Sequence, residues 1–359
     1  MAITPGNTVA LYSLTLTGGN VTGHGGAIYN DQSTLTLTAG NSANFGGAIF
    51  NEGATLTLTD CTLSDNSAGH GGGIFNSSFN GSATLTLTSC TLSGNSAGGH
   101  GGAIYNNGSD GDATLTLANT IVATNSGGSS PDLGNLDGTV TAEGFNLLSD
   151  LSDSSLSPGG AVLVAADPRL APLGDYGGPT ATMPPLPDSP AIGAGGVLDN
   201  PLLTDQRGFP RPNGLGPDIG AVEFQGISDL ALFWDTDWDG DGRSFGFEFA
   251  TGTDPFVADT GPTGGLNAPV QLAGGGVSVS FDFNPQAADY VVWILEYSPD
   301  LSPGSWIPLY HSTGNFDELD DVAVYSEFIE GAESGTITID DQRPADRAFY
   351  RLGVELADP

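Results

Sequence analysis

The chain has 359 residues, among them 55 Gly, 23 Pro and only two Cys, and its formal charge is −35 because 42 acidic residues face seven basic ones, all Arg. Such a surface repels nucleic acid and anionic membranes, since neutralising phosphates takes clustered cations; cations are its natural partners. No run approaches the roughly 18 apolar residues of a membrane span, two Cys cannot build a disulfide framework, and the Gly and Pro content favours turns and short strands over long helices.

The start, MAITPGNTVA, lacks the basic and apolar regions of a secretory leader. NTVALYSLTLTGG already reads as part of a repeat, so a leader and earlier repeats are expected ahead of residue 1. Two phrases then alternate along the chain. One is GHGGAIYN at 23–30, NFGGAIFN at 44–51, GHGGGIFN at 69–76 and GHGGAIYN at 99–106, at intervals of 21, 25 and 30 residues. The other is SLTLT at 13, TLTLT at 34, 55 and 84 and TLTLA at 114, followed by TDCTLSDNSA, TSCTLSGNSA or ANTIVATNSG.

Alternation of Leu and Thr has the period of a half-buried strand, so Leu35, Leu37, Leu56, Leu58, Leu85 and Leu87 are expected to face a core. GGAIYN supplies a second short strand after a tight bend that the Gly pair permits. Each unit thus carries two or three short strands and cannot bury its apolar side alone. Stacking through parallel ladders is the solution for repeats of this length without a helical period. Longer units, such as those containing FNSSFNGSAT and YNNGSDGDAT, lengthen an exposed turn. Asn30, Asn51, Asn76 and Asn106 are expected to stack as an amide ladder at one corner.

The joint pattern GGAI[Y/F]N and TLTLTxCTLSxNSA resembles the chlamydial polymorphic membrane protein type of repeat, which implies a right-handed parallel β-helix. DPRLAPLGDYGGPTATMPPLPDSPAIGAGG, followed by TDQRGFPRPNGLGPDIGAVEF, resembles the C-terminal part of choice-of-anchor Q domains. One departure is Gly193, where that family usually has Asp. Together the resemblances cover residues 13 to about 225 and imply a secreted or surface protein whose means of attachment varies between members.

Several side chains in this region invite a functional reading. A lyase of this fold needs a base beside cation-binding carboxylates, and a hydrolase needs two carboxyl groups about 5–10 Å apart. Residues 13–130 hold no Lys or Arg, and Asp31, Glu52, Asp60, Asp65, Asp110 and Asp112 do not recur at one repeat position. Asp205, Arg207, Arg211, Asp218 and Glu223 cluster, and read as ion pairs and caps holding the last coil closed. His24, His70 and His100, with Phe45 in the remaining copy, read as a ring ladder at a turn rather than a metal site. Cys61 and Cys90 share a repeat position and read as two buried thiols, because parallel side-chain vectors suit a disulfide poorly. Outward Thr on stacked strands makes a hydroxyl and methyl grid of the kind ice-binding solenoids present, although Thr suits any exposed strand.

At 237 the chain reads DWDGDGRSFGFE, which meets D-x-D-x-D-G-x5-E in full. Ca²⁺ takes six to eight hard oxygens at about 2.4 Å. Asp237, Asp239 and Asp241, the main-chain carbonyl of Arg243, a water near Phe245 and a bidentate Glu248 would supply them, with Gly242 making the sharp turn. The stretch resembles the DxDGDGxSxxxEFAxGTDP connectors of secreted bacterial proteins, which implies a stiffening rather than a signalling role for the ion.

From about 268, VSVSFDF, YVVWILEYS, WIPLYHS, VAVYSEF, GTITIDD and AFYRLGVEL read as strands of a small antiparallel sandwich. LEYSPDLSPGSWIPL with DDQRPADRAFYRLGVEL resembles a C-terminal β-sandwich module of secreted proteins from Verrucomicrobia-like bacteria. Trp293, Tyr297, Trp306, Tyr310 and Tyr350 are candidates for a sugar-stacking platform or for core.

The expected organisation is all-β: a right-handed parallel β-helix with its cap over 1–226, a calcium-loop connector over 227–267 and a β-sandwich over 268–359. The expected function is a non-enzymatic extracellular or cell-surface scaffold or adhesin. Its expected partners are Ca²⁺, further copies of itself through the open strand edge at TVALYSLTLTG, and surface glycans or proteins. A carbohydrate-active β-helix enzyme, lyase or hydrolase, is the alternative; an ice-binding solenoid stands third.

Overall fold

In a computed structural model the chain divides into two compact units, Met1–Phe224 and Gln225–Pro359. The structure describes residues 2–3, 8–10, 19–20, 28–31, 34–36, 41–152, 154–156, 161–214, 216–259, 266–267, 270–272, 277–298, 301, 306–312, 322–327, 335–341 and 349–357. The expectations for His24, Leu37 and residues 11–18, and for the side chains of Asn30, Asp31 and Leu35, lie outside these residues.

The first unit is a parallel β-solenoid. A full coil runs through four strands, for example Ile49–Glu52, Thr55–Thr59, Thr62–Ser64 and Ser67–His70, before Ile74–Ser77 starts the next. Equivalent strands stack in register: Ile49 on Ile74 on Ile104 on Leu133, and Leu56 on Leu85 on Leu115 on Val140. The fourth strand, absent from the sequence-based expectation, lies at SAGH, whose burial alternates without an apolar face.

Leu56, Leu58, Leu85, Leu87, Leu115 and Leu117 are fully buried in one core with Ile49, Ile74 and Ile104. The intervening Thr side chains point outward and form columns, Thr55, Thr84, Thr114 and Thr139 in one and Thr57, Thr86, Thr116 and Thr141 in the next. The third column breaks, since Thr59 and Thr88 are followed by Ala118 and Glu143.

The Gly pair has two separate causes. Gly71 has φ +62°, and a Cβ there would lie 2.4 Å from the Ile74 carbonyl oxygen, so the corner demands a left-handed residue without a side chain. At Gly72 the constraint comes from the next coil, because a Cβ would meet the Gly102 carbonyl oxygen at 2.1 Å. Other corners use Asp60, Ser89 and Asn119 at φ +48°.

The Asn ladder forms. Asn51 Nδ2 donates to Asn76 Oδ1 at 2.7 Å, Asn76 to Asn106 at 2.8 Å, and Asn106 to Asn135 at 2.8 Å, where Asn135 passes the chain to the Gly138 carbonyl at 2.9 Å. A second, unanticipated ladder runs from Asn66 to Asn95 (2.7 Å) to Asn125 (2.9 Å) and ends on Asp132 Oδ1 (2.9 Å). An amide both accepts and donates, so a column of amides runs in one direction and needs a pure acceptor at its end. Asp132 is that acceptor; its other oxygen takes the Ser149 N–H, the Ser149 hydroxyl and the Asp150 N–H at 2.7–2.8 Å.

Residues 167–224 lie along the flank of the third sheet rather than over the last coil alone. That sheet's outward column reads Thr62, Thr91, Ile121, Leu147. Gln206 meets the Thr62 hydroxyl at 2.7 Å, the Ala221 N–H meets the Thr91 hydroxyl at 3.0 Å, and Ile219 and Leu170 pack with Ile121 and Leu147. The polar pair therefore meets polar partners and the apolar pair meets apolar ones, which explains why these short strands are buried on both faces.

In the second unit, helices α1 (Ile227–Phe233) and α2 (Phe245–Thr251) precede two antiparallel sheets. One sheet holds Val270–Gln271, Val277–Phe283, Gly335–Asp341 and Val322–Glu327; the other holds Ile307–His311, Val291–Ser298 and Phe349–Leu356. Phe281 against Tyr310 (6.1 Å) and Phe283 against Trp293 (5.6 Å) join them face to face. The Ala250 carbonyl near the end of α2 accepts from the Trp293 indole at 3.0 Å and from the Asn284 N–H at 2.9 Å, which seats that helix on the antiparallel sheet region.

Adjacent substitutions separate the two faces of the Leu/Thr sheet. Leu85→Ala should cost roughly 2–5 kcal/mol and Thr86→Ala within about 0.5 kcal/mol, read as shifts in urea midpoint. Asn76→Ala, which takes from the buried Asn106 Oδ1 the donor it has in Asn76 while Asn51 Nδ2 keeps the Ala54 carbonyl, should cost roughly 1–3 kcal/mol; a midpoint like that of Thr86→Ala would mean that the amide column is not a source of stability.

Candidate functional site

Most of the candidate side chains of the solenoid prove to be consumed by stacking. Phe45, His70 and His100 form a ring column, with Phe45 and His70 centroids 5.8 Å apart at 9° and His70 and His100 5.7 Å apart at 12°. His70 Nδ1 accepts the His100 backbone N–H at 3.2 Å, which places the neutral ring's proton on Nε2. Burial and the neighbouring His100 lower the His70 pKa.

Cys61 and Cys90 are free and buried, and their thiols donate to the Thr59 and Thr88 carbonyls at 3.1 and 3.3 Å. In the following coils Thr120 Oγ1 makes the same bond to Ala118 at 3.1 Å, and Asn146 Nδ2 donates to Glu143 at 3.0 Å. The position calls for a small donor to a corner carbonyl, and a thiol is one way of supplying it. Burial holds the Cys90 thiol well above its usual range, which opposes the thiolate a nucleophile needs.

The acidic and basic residues at 205–223 are enclosed. Arg207 and Asp205 are paired at 3.0 Å with side chains 0% exposed, and Arg207 also donates to the Glu223 carbonyl at 2.8 Å. Arg211 donates to the Asp218 and Gly220 carbonyls at 3.0 and 2.9 Å and lies 3.6 Å from the Glu223 carboxylate. Glu223 accepts the Asn213 and Asp218 N–H groups, and Asp218 accepts those of Gly193 and Phe224. Burial, then the Glu223 charge, push Asp218 up to about 7; burial outweighs the attraction of Arg211 and does the same for Asp60. These groups clasp backbone to backbone, and their enclosure leaves no access for a polymeric substrate.

In the second unit the aromatic candidates divide among separate contacts. Trp293 is 3% exposed, Tyr310 packs on Phe281, Tyr297 on Tyr350, and the Arg351 guanidinium sits 4.3 Å over Trp306.

The acidic loop is different in kind. Asp237 accepts the Gly240 and Gly242 N–H groups at 2.8 and 2.9 Å, and Asp241 accepts that of Arg243 at 2.8 Å, so the carboxylates wind the loop around themselves. Gly240 and Gly242 have φ +78° and +93° and serve the turn. Ser244 then caps α2, whose first turn carries Glu248. Phe233, Trp238 and Phe245 form an aromatic floor with ring centroids 4.8–5.7 Å apart.

Two carboxylate triplets result, Asp237 with Asp239 and Asp241, and Asp241 with Glu248 and Asp259; within each, the oxygens lie within 4.8 Å of one another. Glu248 is 0% exposed, yet among the described residues its Oε2 has no hydrogen-bond partner, and neither has Asp239 Oδ2. Burial, followed by the charges of Asp239, Asp241 and Asp259, raises the Glu248 pKa to about 8. A buried carboxylate oxygen facing other carboxylates is costly unless a cation joins it. The motif anticipates every member of the two triplets except Asp259, which lies beyond the twelve-residue window.

Comparison with known proteins identifies part of the solenoid. Residues 60–77 and 89–107 match the family model of the Chlamydia polymorphic membrane protein (Chlamydia_PMP) repeat. The matched segments lie in consecutive coils, each running from the corner before a Cys to the end of an Asn-bearing strand, and are similar to that repeat. No curated protein and no solved structure matches the chain.

The His70 pKa has a consequence of definite sign. A base whose folded pKa lies below its unfolded value of 6.5 contributes stability that is fully present above that value and is lost as pH falls from it toward the folded pKa. Asp60 and Asp218, with raised pKa, act oppositely: their contribution is lost as pH rises from 3.8 toward about 7. The difference between wild type and His70→Phe isolates the His term. The variant should gain stability relative to wild type below about pH 6.5, and parallel melting curves across pH 5–7.5 would exclude a titrating His70.

Proposed function

We propose that the protein is a non-enzymatic scaffold or adhesin of the cell exterior, with a cation site that stiffens its second unit. The observation that carries the reading is how the solenoid spends its polar and reactive side chains. Amide columns, the ring column, the thiol position and the buried clasp all bind coil to coil or clasp to coil, and leave an outer surface of Thr columns and acidic turns. The match to repeats of the polymorphic membrane protein type supports a surface setting and an adhesive role.

The cation reading rests on the buried, partnerless Glu248 oxygen beside Asp241 and Asp259. Asp237, Asp239, Asp241, the Arg243 carbonyl and Glu248 would hold Ca²⁺, a hard ion suited to an all-oxygen set. Such an ion supplies charge neutralisation: it replaces mutual repulsion among carboxylates with shared attraction and so orders the loop on α2. End-to-end pairing of solenoids belongs to the same reading and is testable by light scattering over a range of concentration, where a constant monomer mass would oppose it.

Calorimetric titration of the intact protein should show Ca²⁺ binding, with stabilisation of about 2.7 kcal/mol at a hundredfold excess over Kd. Asp239→Ala and Glu248→Gln should each abolish or sharply weaken it. A glycan array probed with and without Ca²⁺ tests adhesion: binding to surface glycans without turnover supports the reading, whereas release of shortened or unsaturated sugars would overturn the non-enzymatic assignment.

A further inference from the structure

Resting on the cation reading above, we propose that Asp259 is a ligand of the same ion, brought from outside the twelve-residue loop and positioned by the Arg243 side chain. The chain folds back to make this possible. Gly252, left-handed at φ +79°, ends α2, and the Gly252 and Thr253 N–H groups both donate to the Glu248 carbonyl at 2.8 and 3.0 Å. A turn at Asp254, whose carboxylate accepts the Phe256 N–H at 3.1 Å, then lays the Phe256 ring flat on Trp238, 5.2 Å away at 5°. Trp238 sits between the first two carboxylates of the loop, so this stack ties the returning segment to the loop itself.

At the end of that segment the Asp259 N–H donates to Asp241 Oδ2 at 2.9 Å, and the Asp259 carboxylate pairs with the Arg243 guanidinium. One Asp259 oxygen lies with oxygens of Asp241 and Glu248 inside a mutual distance of 4.8 Å. Twice a Ca–O bond of about 2.4 Å gives the same span, so a single ion can touch all three. The independent pointer to a ligand is Glu248, fully enclosed and with Oε2 left without a hydrogen-bond partner among the described residues, beside these two groups. Three acids drawn together around a buried oxygen need a positive centre; the Arg243 guanidinium pairs with Asp259 and lies 4.0 Å from Asp241, and among the described residues no ion pair reaches Glu248.

Arg243 thereby acquires two roles. Its carbonyl stands at the loop position that supplies a main-chain ligand, and its side chain holds Asp259 in reach. These roles make opposite predictions from simple electrostatics. Removing a positive charge beside a bound cation should tighten binding by Coulomb's law alone; removing a positioning group should weaken it.

The test uses the full-length protein and two probes: calorimetric titration with CaCl₂, and Tb³⁺ emission sensitised by Trp238. Asp259→Asn should lower Ca²⁺ affinity about tenfold or more, in the range expected when a ligand or its support is lost, and should reduce Tb³⁺ emission. Asp235→Asn, which removes an exposed acid outside both triplets, should change affinity less than about threefold and sets the through-space charge effect. Arg243→Gln should weaken binding. Unchanged melting of the metal-free variants establishes that the fold is intact. If Asp259→Asn binds like Asp235→Asn while Glu248→Gln loses binding, Asp259 is not a ligand and the inference falls alone. If Arg243→Gln binds more tightly, the positioning role falls. If the wild type binds neither ion, the cation reading falls with it.

Discussion

Everything in the first unit follows from one constraint: each residue must coexist with its own equivalent one strand spacing away, about 4.8 Å along the stack. A side chain that cannot pair with a copy of itself at that distance is excluded from the corners. Asn passes because an amide is donor and acceptor at once, aromatic rings and neutral imidazoles pass because they stack, and Gly passes at position 72 because the next coil's carbonyl occupies the space of a side chain. Charged residues do not build such columns among the described side chains: Asp110 and Asp112 lie in a turn, Asp60 shares its corner position with Ser89 and Asn119, and Asp132 terminates an amide column.

The same constraint explains what was legible in the sequence. Leu/Thr alternation announces a strand by its period, and the spacing of Asn51, Asn76 and Asn106 announces a column, so core and first ladder are readable from repetition alone. The column at Asn66, Asn95 and Asn125 carried an equal signal in the recurring Asn-Ser, but it sits at the corner before a strand with no apolar alternation, and neither that strand nor the ladder declares itself by hydrophobic period. Residues 167–224 are aperiodic. Their ion pairs were legible as pairs, whereas their place along the flank depends on the order of Thr62, Thr91, Ile121 and Leu147, a column that exists only after the coils are stacked. Asp259 escapes for a related reason: the loop motif describes ligands contiguous in sequence, and a ligand returned by a left-handed Gly252 and a Trp238–Phe256 stack is contiguous only in space.

The excess of acid is handled differently by the two units. On the solenoid flank, Asp205, Asp218 and Glu223 are held by backbone N–H groups and two enclosed Arg side chains and become structural fixings, while Asp60 Oδ1, 4.0 Å from Arg211, has no hydrogen-bond partner among the described residues. In the loop of the second unit, N–H groups reach Asp237, both oxygens of Asp241 and one of Asp239, whereas Asp239 Oδ2 and Glu248 Oε2 have no hydrogen-bond partner among the described residues. Equal chemistry thus has two outcomes, set by whether the backbone reaches every oxygen.

The flank segment also changes how the solenoid should behave as a whole. In a stack where each coil touches only its neighbours, stability is a sum of local terms and an end coil can open alone. Here one segment is bonded to residues of three successive coils, through Thr62, Thr91 and Asn119, and its apolar side is packed against Ile121 and Leu147. Opening any of these coils breaks contacts with a piece of chain that the others also hold, so the free energies cease to be independent. A nearest-neighbour array becomes a single cooperative body along that face, in which local opening of one coil is resisted by its neighbours.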